Sequence, residues 1–203
     1  MRRLLVATRS RHKLAELRAL LKLPHTELLS LEEVGVEQEA SEDAQTFEEN
    51  AVLKARFYAA QSGLPTLADD SGLEVDALGG RPGVRTRRYA GETATDEENN
   101  RKLLEELTGV PAERRTARYR CALAYLEPGT ASRAAVRVGA LEGRIAEAPK
   151  GSGGFGYDPI FEPSGEPPGG RTVGELSPDE KNAISHRALA ARAMAQALRA
   201  IGY

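Results

Sequence analysis

Short apolar runs alternate along the chain with helical patterns, and this alternation predicts an α/β fold. Continuous apolar runs predict short buried strands at 3–8, 27–31 and 67–75. Longer alternating patterns predict a hairpin of two strands, at 116–126 and 131–138, across Pro128-Gly129. We therefore expect a mixed, elongated central sheet with helices packed on it.

Capping boxes mark the starts of three helices. In each, a Ser or Thr is followed three residues later by a Glu, which lets the two side chains satisfy free backbone N–H groups. The pairs are Thr46 and Glu49, Thr95 and Glu98, and Ser177 and Glu180. Gly63 and Gly109, each two residues before a proline, predict the ends of the first two helices.

Composition narrows the class of protein. The 203 residues suit one domain over 1–203, and we expect it to have two lobes around one substrate cleft. A net charge of -2 gives no global basic field, so we expect no nucleic-acid partner. The single cysteine excludes an intrachain disulfide and a cysteine cluster for zinc. Without a long apolar run or a signal-peptide pattern, we expect no membrane association and a cytoplasmic location.

The stretch 67–75 carries the first candidate chemistry. Apolar residues lead into Asp69 and Asp70, and we expect the strand to turn at Ser71-Gly72, because Asp, Ser and Gly favour turns. Successive strand residues point to opposite faces, so both carboxylates aim the same way only if the strand breaks there. A carboxylate at a strand end can bind a divalent metal or act as a general base. A turn or capping pair without chemistry is the alternative.

The segment 8–13 is the second candidate. It lies between a predicted strand and a predicted helix, where free N–H groups and the helix dipole favour anions. Arg9, Arg11 and Lys13 add positive charge, although a solvated basic turn has the same composition. The segment lacks the spacing of a P-loop.

The third candidate is the glycine-rich stretch 150–159. Four glycines between 151 and 156 are unfavourable for folding unless the backbone must approach a ligand closely. Phe155 and Tyr157 offer ring faces for stacking a flat base, and Asp158 can accept hydrogen bonds from ring N–H groups.

The C-terminal segment adds three basic side chains. Lys181, His186 and Arg187 do not align on one continuous helix, but a helix break near Ser185 lets them converge. An ordinary charged helix face is the alternative.

Together these stretches resemble the Ham1-like inosine triphosphate pyrophosphatases, also called non-canonical purine NTP pyrophosphatases. The resemblance rests on TFEENA at 46–51, ADDSGL at 68–73, GGRPG at 79–83, GGFGYDP at 153–159 and SHR at 185–187. The motifs span nearly the whole chain in the order and spacing of the family. The resemblance implies hydrolysis of ITP, dITP and XTP to the monophosphate and pyrophosphate. It also implies dependence on Mg²⁺, a homodimer, and a substrate cleft between two lobes.

The resemblance also implies roles for particular residues. Asp70 matches the general base and a metal-binding aspartate, Glu42 a second metal-binding acid, and Ser71 a substrate contact. The implied triphosphate loop consists of Thr8, Arg9, Ser10, Arg11, His12 and Lys13. The implied nucleotide and base pocket consists of Phe155, Gly156, Tyr157, Asp158, Lys181, His186 and Arg187. In this chain Arg9 and Ser10 stand where the family usually has a small residue and Asn, and His12 stands where Gly is common.

Three other functions remain open at the level of sequence. An aspartyl-phosphate phosphatase would also place an aspartate at a strand end, but it would release phosphate. A nucleotide-binding regulator would bind ITP without turnover. The Maf-type pyrophosphatases are the nearest alternative enzymes, but nothing in their chemistry explains FGYDP followed by SHR.

Overall fold

The computed structural model describes residues 1–129 and 134–203 and has an α/β fold, as predicted. Its strands are β1 (Arg2–Ala7), β2 (Thr26–Leu29), β3 (Thr66–Val75), β4 (Thr116–Leu126), β5 (Ala135–Ile145) and β6 (Phe161–Pro163). Its α-helices are α1 (Arg11–Leu21), α2 (Phe47–Ser62), α3 (Asp96–Glu106), α4 (Pro178–Ile184) and α5 (His186–Ala200).

Within the described residues one sheet contains all six strands, in the order β2-β1-β3-β4-β5-β6. β1 pairs in parallel with both β2 and β3, whereas β5 and β6 pair antiparallel. The sheet is therefore mixed, which confirms the expected class.

The predicted helix starts are confirmed. Thr46, Thr95 and Ser177 are the N-caps of α2, α3 and α4, and each hydroxyl accepts a hydrogen bond from the backbone N–H three residues later. Gly63 ends α2 in the left-handed conformation that glycine adopts without strain. The predicted helix break near Ser185 is also present, because Ser185 has an extended backbone and separates α4 from α5.

Two strand predictions need correction. β3 does not turn at Ser71-Gly72 but runs on to Val75. Turn propensity is a weak preference, and here pairing within the sheet and burial of the flanking apolar residues outweigh it. β5 extends to Ile145, well beyond the predicted end at residue 138, while 131–133 of that prediction lie outside the described residues.

The described chain divides into two compact units. The first comprises 1–70, 121–139 and 186–203, apart from the undescribed 130–133, and the second comprises 71–120 and 140–185. The core of the first contains Leu4, Val6, Leu17, Leu21, Met194 and Leu198. The core of the second contains Leu73, Val75, Leu103, Leu107, Ile160 and Phe161. No helix in the described parts of the chain is long and apolar enough to cross a membrane.

Gly139 allows β5 to approach the start of α5 within the first unit. A Cβ atom at this position would lie 2.2 Å from the carbonyl oxygen of His186 and 2.7 Å from the backbone nitrogen of Ala190. Both are backbone atoms, so they cannot move aside by changing rotamer.

We expect Gly139→Ala to destabilise the protein by about 1–3 kcal/mol, a typical result of overpacking. Urea unfolding of the variant would measure the loss. Gly165→Ala is the matched control, because a Cβ at Gly165 meets nothing within 4 Å. Equal stability of the two variants would contradict the close contact between β5 and α5.

Candidate active site

Asp69 and Asp70 are adjacent buried carboxylates of β3 with different surroundings. Because β3 continues past them, their side chains leave opposite faces of the strand. Asp69 accepts hydrogen bonds from the Lys13 ammonium at 2.6 Å, the Arg187 guanidinium at 2.9 Å and the Cys121 thiol at 3.3 Å. It thus connects β3 to α1, to α5 and to β4.

The charge of Asp69 is fully engaged by its neighbours. Burial alone would raise the pKa of this carboxyl, but the positive charges of Arg187 and Lys13 outweigh burial and hold the pKa well below its usual range. Asp69 is therefore ionised at neutral pH, and both of its oxygens already accept hydrogen bonds. These contacts favour a structural role for Asp69 over that of a base.

Asp70 has only one of its two oxygens engaged by the described residues. Oδ1 accepts from the Lys54 ammonium at 2.7 Å, whereas Oδ2 is buried and has no hydrogen-bond partner among them. Burial raises the pKa of Asp70, and Lys54 offsets only part of that effect. A buried acceptor of this kind fits a bound cation or a polarised water.

Lys54 is a site residue that the sequence reasoning did not single out. Its ammonium lies 2.7 Å from Asp70 Oδ1 and 3.2 Å from Glu42 Oε1. Burial would lower the pKa of Lys54, but the two carboxylates raise it overall, so the side chain stays charged. A usable signal was present in the sequence, because Lys54 interrupts the apolar face of the predicted α2 helix.

The pair of Asp70 and Glu42 fits a magnesium ion better than a metal held by protein ligands alone. Among the described residues no group of three or more His, Cys, Asp or Glu side chains is arranged to hold a metal. Mg²⁺ commonly binds through one or two carboxylates together with substrate phosphates and water. The unpartnered Oδ2 of Asp70 and the nearby Glu42 match that requirement.

The segment 8–13 lies between a strand and a helix, as predicted: residues 8–10 form the turn after β1, and residues 11–13 are the first residues of α1. Ser10 is the N-cap of α1, and its hydroxyl accepts from the Lys13 N–H. The Thr8 hydroxyl accepts from the Ser10 N–H, while Arg11 and His12 are exposed at the helix start. Two of the residues expected to bind the triphosphate have partners within the protein. Lys13 contacts Asp69, and Arg9 contacts the loop that precedes α2.

In the second unit, Asp158 anchors the glycine-rich loop. Its carboxylate accepts from the Tyr119 hydroxyl, the Lys181 ammonium and the Phe155 N–H, at 3.1, 2.7 and 2.9 Å. The same ammonium lies 4.5 Å from the centre of the Phe155 ring. Phe155 and Lys181 are therefore fixed next to each other, as expected for parts of one pocket.

Tyr157 does not offer an open ring face. Its side chain is only 2% exposed, its ring packs in the core of the second unit, and its hydroxyl donates to the carbonyl of Thr86. The expectation that both aromatic rings could stack on a base is corrected for Tyr157. Phe155, which is half-buried, remains the candidate.

Two further residues that the sequence reasoning missed hold the backbone of Gly156. Its N–H donates to the Asp96 carboxylate at 2.6 Å, and its carbonyl accepts from the Asn100 amide at 3.0 Å. Asp96 and Asn100 lie one turn apart on α3, so one helix face fixes both polar groups of this glycine.

The three basic residues near the C-terminus fall into two separate sets of contacts. Lys181 contacts Asp158 and Phe155, whereas Arg187, 1% exposed, contacts Asp69 and Glu16. His186 is buried at the first position of α5. Binding of the base by Arg187 or His186, and of substrate by Ser71, stays a prediction.

Comparison with known proteins gives consistent matches over nearly the full chain. Residues 4–197 match the Ham1 family. The dITP/XTP pyrophosphatase of Geobacter sulfurreducens is 53% identical over 188 residues, which cover 92% of this chain and 92% of the relative.

Two solved structures show the same fold. A HAM1 protein from Coxiella burnetii superposes with a TM-score of 0.88 at 42% identity, covering 98% of this chain and 99% of the other. A nucleoside-triphosphatase / dITP/XTP pyrophosphatase from Mycobacterium abscessus gives a TM-score of 0.74, also at 42% identity, covering 98% of both chains. These matches confirm the resemblance on which the sequence interpretation rests.

We expect Asp69→Asn to lower the free energy of unfolding at pH 7 by about 3–5 kcal/mol, because the buried Arg187 guanidinium and the half-buried Lys13 ammonium both lose the charge that they share, and Glu16 then remains to pair with Arg187 alone. Since the pKa of Asp69 is lowered by folding, its stabilising effect is present above the unfolded pKa of about 4 and is lost as the pH falls further. The difference in stability between wild type and variant should therefore shrink below about pH 4.

Asp70→Asn is the matched comparison. The pKa of Asp70 is raised by folding, so its ionised form opposes folding, and the variant should lose less stability at pH 7 than Asp69→Asn. Denaturant unfolding at several pH values measures both. Equal losses at pH 7 would contradict the division of roles between the two aspartates.

Proposed function

The chain belongs to the Ham1 family, and we propose that it hydrolyses the non-canonical purine nucleoside triphosphates ITP, dITP and XTP to the monophosphate and pyrophosphate. The observation that carries the proposal is the buried Asp70 carboxylate, with one oxygen held by Lys54 and the other without a partner among the described residues. The relatives named dITP/XTP pyrophosphatase support the choice of reaction.

Asp70 is proposed as the general base, acting on a water or orienting it. Its pKa is raised by burial, which makes the carboxylate a better proton acceptor near neutral pH. Lys54 holds Oδ1, so Oδ2 is the atom proposed to meet the reacting water or the cation. Attack on a phosphoanhydride depends on positioning and on charge neutralisation, which this arrangement supplies.

Asp70 and Glu42 are proposed to hold Mg²⁺. When bound, the ion would neutralise phosphate charge and polarise the anhydride. The Lys54 ammonium lies between the two carboxylates and reduces their mutual repulsion before a cation binds. The buried Lys54 of α2 thus has two proposed roles: it fixes Oδ1 of Asp70, and it reduces the repulsion between Asp70 and Glu42.

The start of α1 is proposed to bind the triphosphate. Its free backbone N–H groups and positive dipole end favour an anion, and Arg11 and His12 are exposed beside them. Lys13 contributes positive charge although its ammonium is bound to Asp69.

Phe155 and Lys181 are proposed to select the base. A purine can stack on the half-buried ring, and the neighbouring ammonium is a hydrogen-bond donor only. Hypoxanthine and xanthine carry an acceptor oxygen at position 6, whereas adenine carries an amino group there. A donor at this position would therefore favour ITP and XTP over ATP. The homodimer and the cytoplasmic location remain part of this proposal.

The proposal is tested by the products of ITP hydrolysis. With Mg²⁺ we expect IMP and pyrophosphate, loss of activity in chelator, recovery with Mg²⁺ or Mn²⁺, and much slower hydrolysis of ATP. Separate enzymatic assays for phosphate and pyrophosphate distinguish the alternatives. Release of phosphate would favour an aspartyl-phosphate phosphatase, and binding without turnover would favour a regulator.

The role of Asp70 is tested by Asp70→Asn, which keeps the shape of the side chain but removes its basicity. We expect kcat/KM for ITP to fall by about 100- to 10,000-fold. Asp179→Asn, an exposed aspartate in the first turn of α4, serves as the control with the same chemical change. Near-normal turnover by Asp70→Asn, together with inactivity of a folded Asp69→Asn variant, would transfer the role to Asp69.

A further inference from the structure

The guanidinium of Arg9 points at the loop that carries Glu42. Its Nη2 donates to the carbonyl oxygens of Val36, Glu37 and Gln38 at 3.1, 2.6 and 2.8 Å. Its Nε lies 3.4 Å from a carboxylate oxygen of Glu39. The backbone of the loop is thus curved around this one side chain.

The other half of the same loop is held by α2. Asn50, Lys54 and Tyr58 are buried and spaced four residues apart, so they share one face of the helix. The side-chain Oδ1 of Asn50 accepts from the Ala44 N–H at 3.0 Å, and the Tyr58 hydroxyl accepts from the Ala40 N–H at 3.3 Å. Between these two contacts, Lys54 meets the Glu42 carboxylate.

Residues 36–44, which we call the acidic loop, are therefore fixed from both sides. α2 sets the part from Ala40 to Ala44, and Arg9 sets the part from Val36 to Glu39. Three carbonyl dipoles that converge on one point repel each other unless a cation lies there, so the curvature of the loop depends on the guanidinium. Without that curvature the segment 36–39 would no longer deliver the rest of the loop to α2, and the contacts that α2 makes with Ala40, Glu42 and Ala44 would weaken.

We propose that Arg9 is a positioning residue that holds Glu42 in place for the metal, and that it is not a ligand of the triphosphate. The proposal rests on the proposed function, because it takes Glu42 as a metal-binding acid. It changes the role that the sequence suggested for Arg9. It also explains why a long cationic side chain stands at this position of the turn between β1 and α1.

The first test is amide hydrogen exchange of residues 36–44 without metal or nucleotide. We expect Arg9→Ala to accelerate exchange at Ala40 and Ala44 by about tenfold or more, corresponding to about 1.4 kcal/mol of lost protection. Arg9→Lys should restore part of the protection, because an ammonium can also donate to several carbonyl oxygens. Arg56→Ala removes the same charge from the exposed side of α2 and should leave the loop unchanged.

The second test measures binding of Mn²⁺ alone, by electron paramagnetic resonance. Loss of a group that orients a metal ligand typically weakens metal affinity by about 10- to 100-fold, and we expect Arg9→Ala to fall in that range. Binding of inorganic triphosphate in chelator should stay at the wild-type level, because Arg9 does not contact the phosphates.

Three results would overturn the proposal. These are unchanged exchange in the acidic loop of Arg9→Ala, faster exchange with unchanged Mn²⁺ affinity, or weaker triphosphate binding in chelator with unchanged exchange. Wild-type protein that binds no Mn²⁺ would contradict the metal-binding role of Glu42 and Asp70, and with it the positioning role of Arg9. Absence of pyrophosphate release from ITP would instead contradict the proposed reaction. The exchange and Mn²⁺ measurements would still test the positioning role of Arg9, because neither depends on activity.

Discussion

The buried ion pairs of Asp69 are the interaction on which the first unit depends. One carboxylate in the middle of β3 receives a lysine from α1 and an arginine from α5, so three elements far apart in sequence share one charge cluster. The Asp69 carboxylate and the Arg187 guanidinium are both buried, and each would be strongly unfavourable in the interior without a counter-charge. The cluster therefore fixes where α1 begins relative to β3, and α1 is the helix proposed to bind the triphosphate.

The same geometry gives the next residue, the proposed general base, different surroundings. Because β3 stays extended, Asp70 leaves the strand on the opposite face and meets α2. Two identical side chains in adjacent positions thus have pKa values shifted in opposite directions, one lowered by two cations and the other raised by burial. Enzymes commonly separate the roles of neighbouring carboxylates in this way.

The sequence predicts most of the framework and part of the site. Local signals were sufficient for the helix starts at Thr46, Thr95 and Ser177, because a capping box involves residues only three positions apart. The course of β3 through Ser71 and Gly72 was predicted wrongly, because it is decided by pairing with strands that are distant in sequence.

The same limit explains why Lys54 was missed and why the contacts of Arg9, a residue that the sequence did single out, were not foreseen. Lys54 and Arg9 each contact groups at least 12 positions away, so their partners cannot be identified from spacing alone. Asp70, which Lys54 contacts on β3, was identified from the pattern of the strand itself. The residues that surround Asp70 became known only from the structure.

The surroundings of Cys121 give the protein an internal probe. Its thiol is the only one in the chain, it is 1% exposed, and burial together with the adjacent Asp69 raises its pKa well above the ordinary value. In the folded structure it is thus neither accessible nor ionised, and both conditions protect it from oxidants and alkylating reagents. Alkylation of this sulfur requires the strands and helices around Asp69 to separate, so the rate of labelling reports how often the first unit opens.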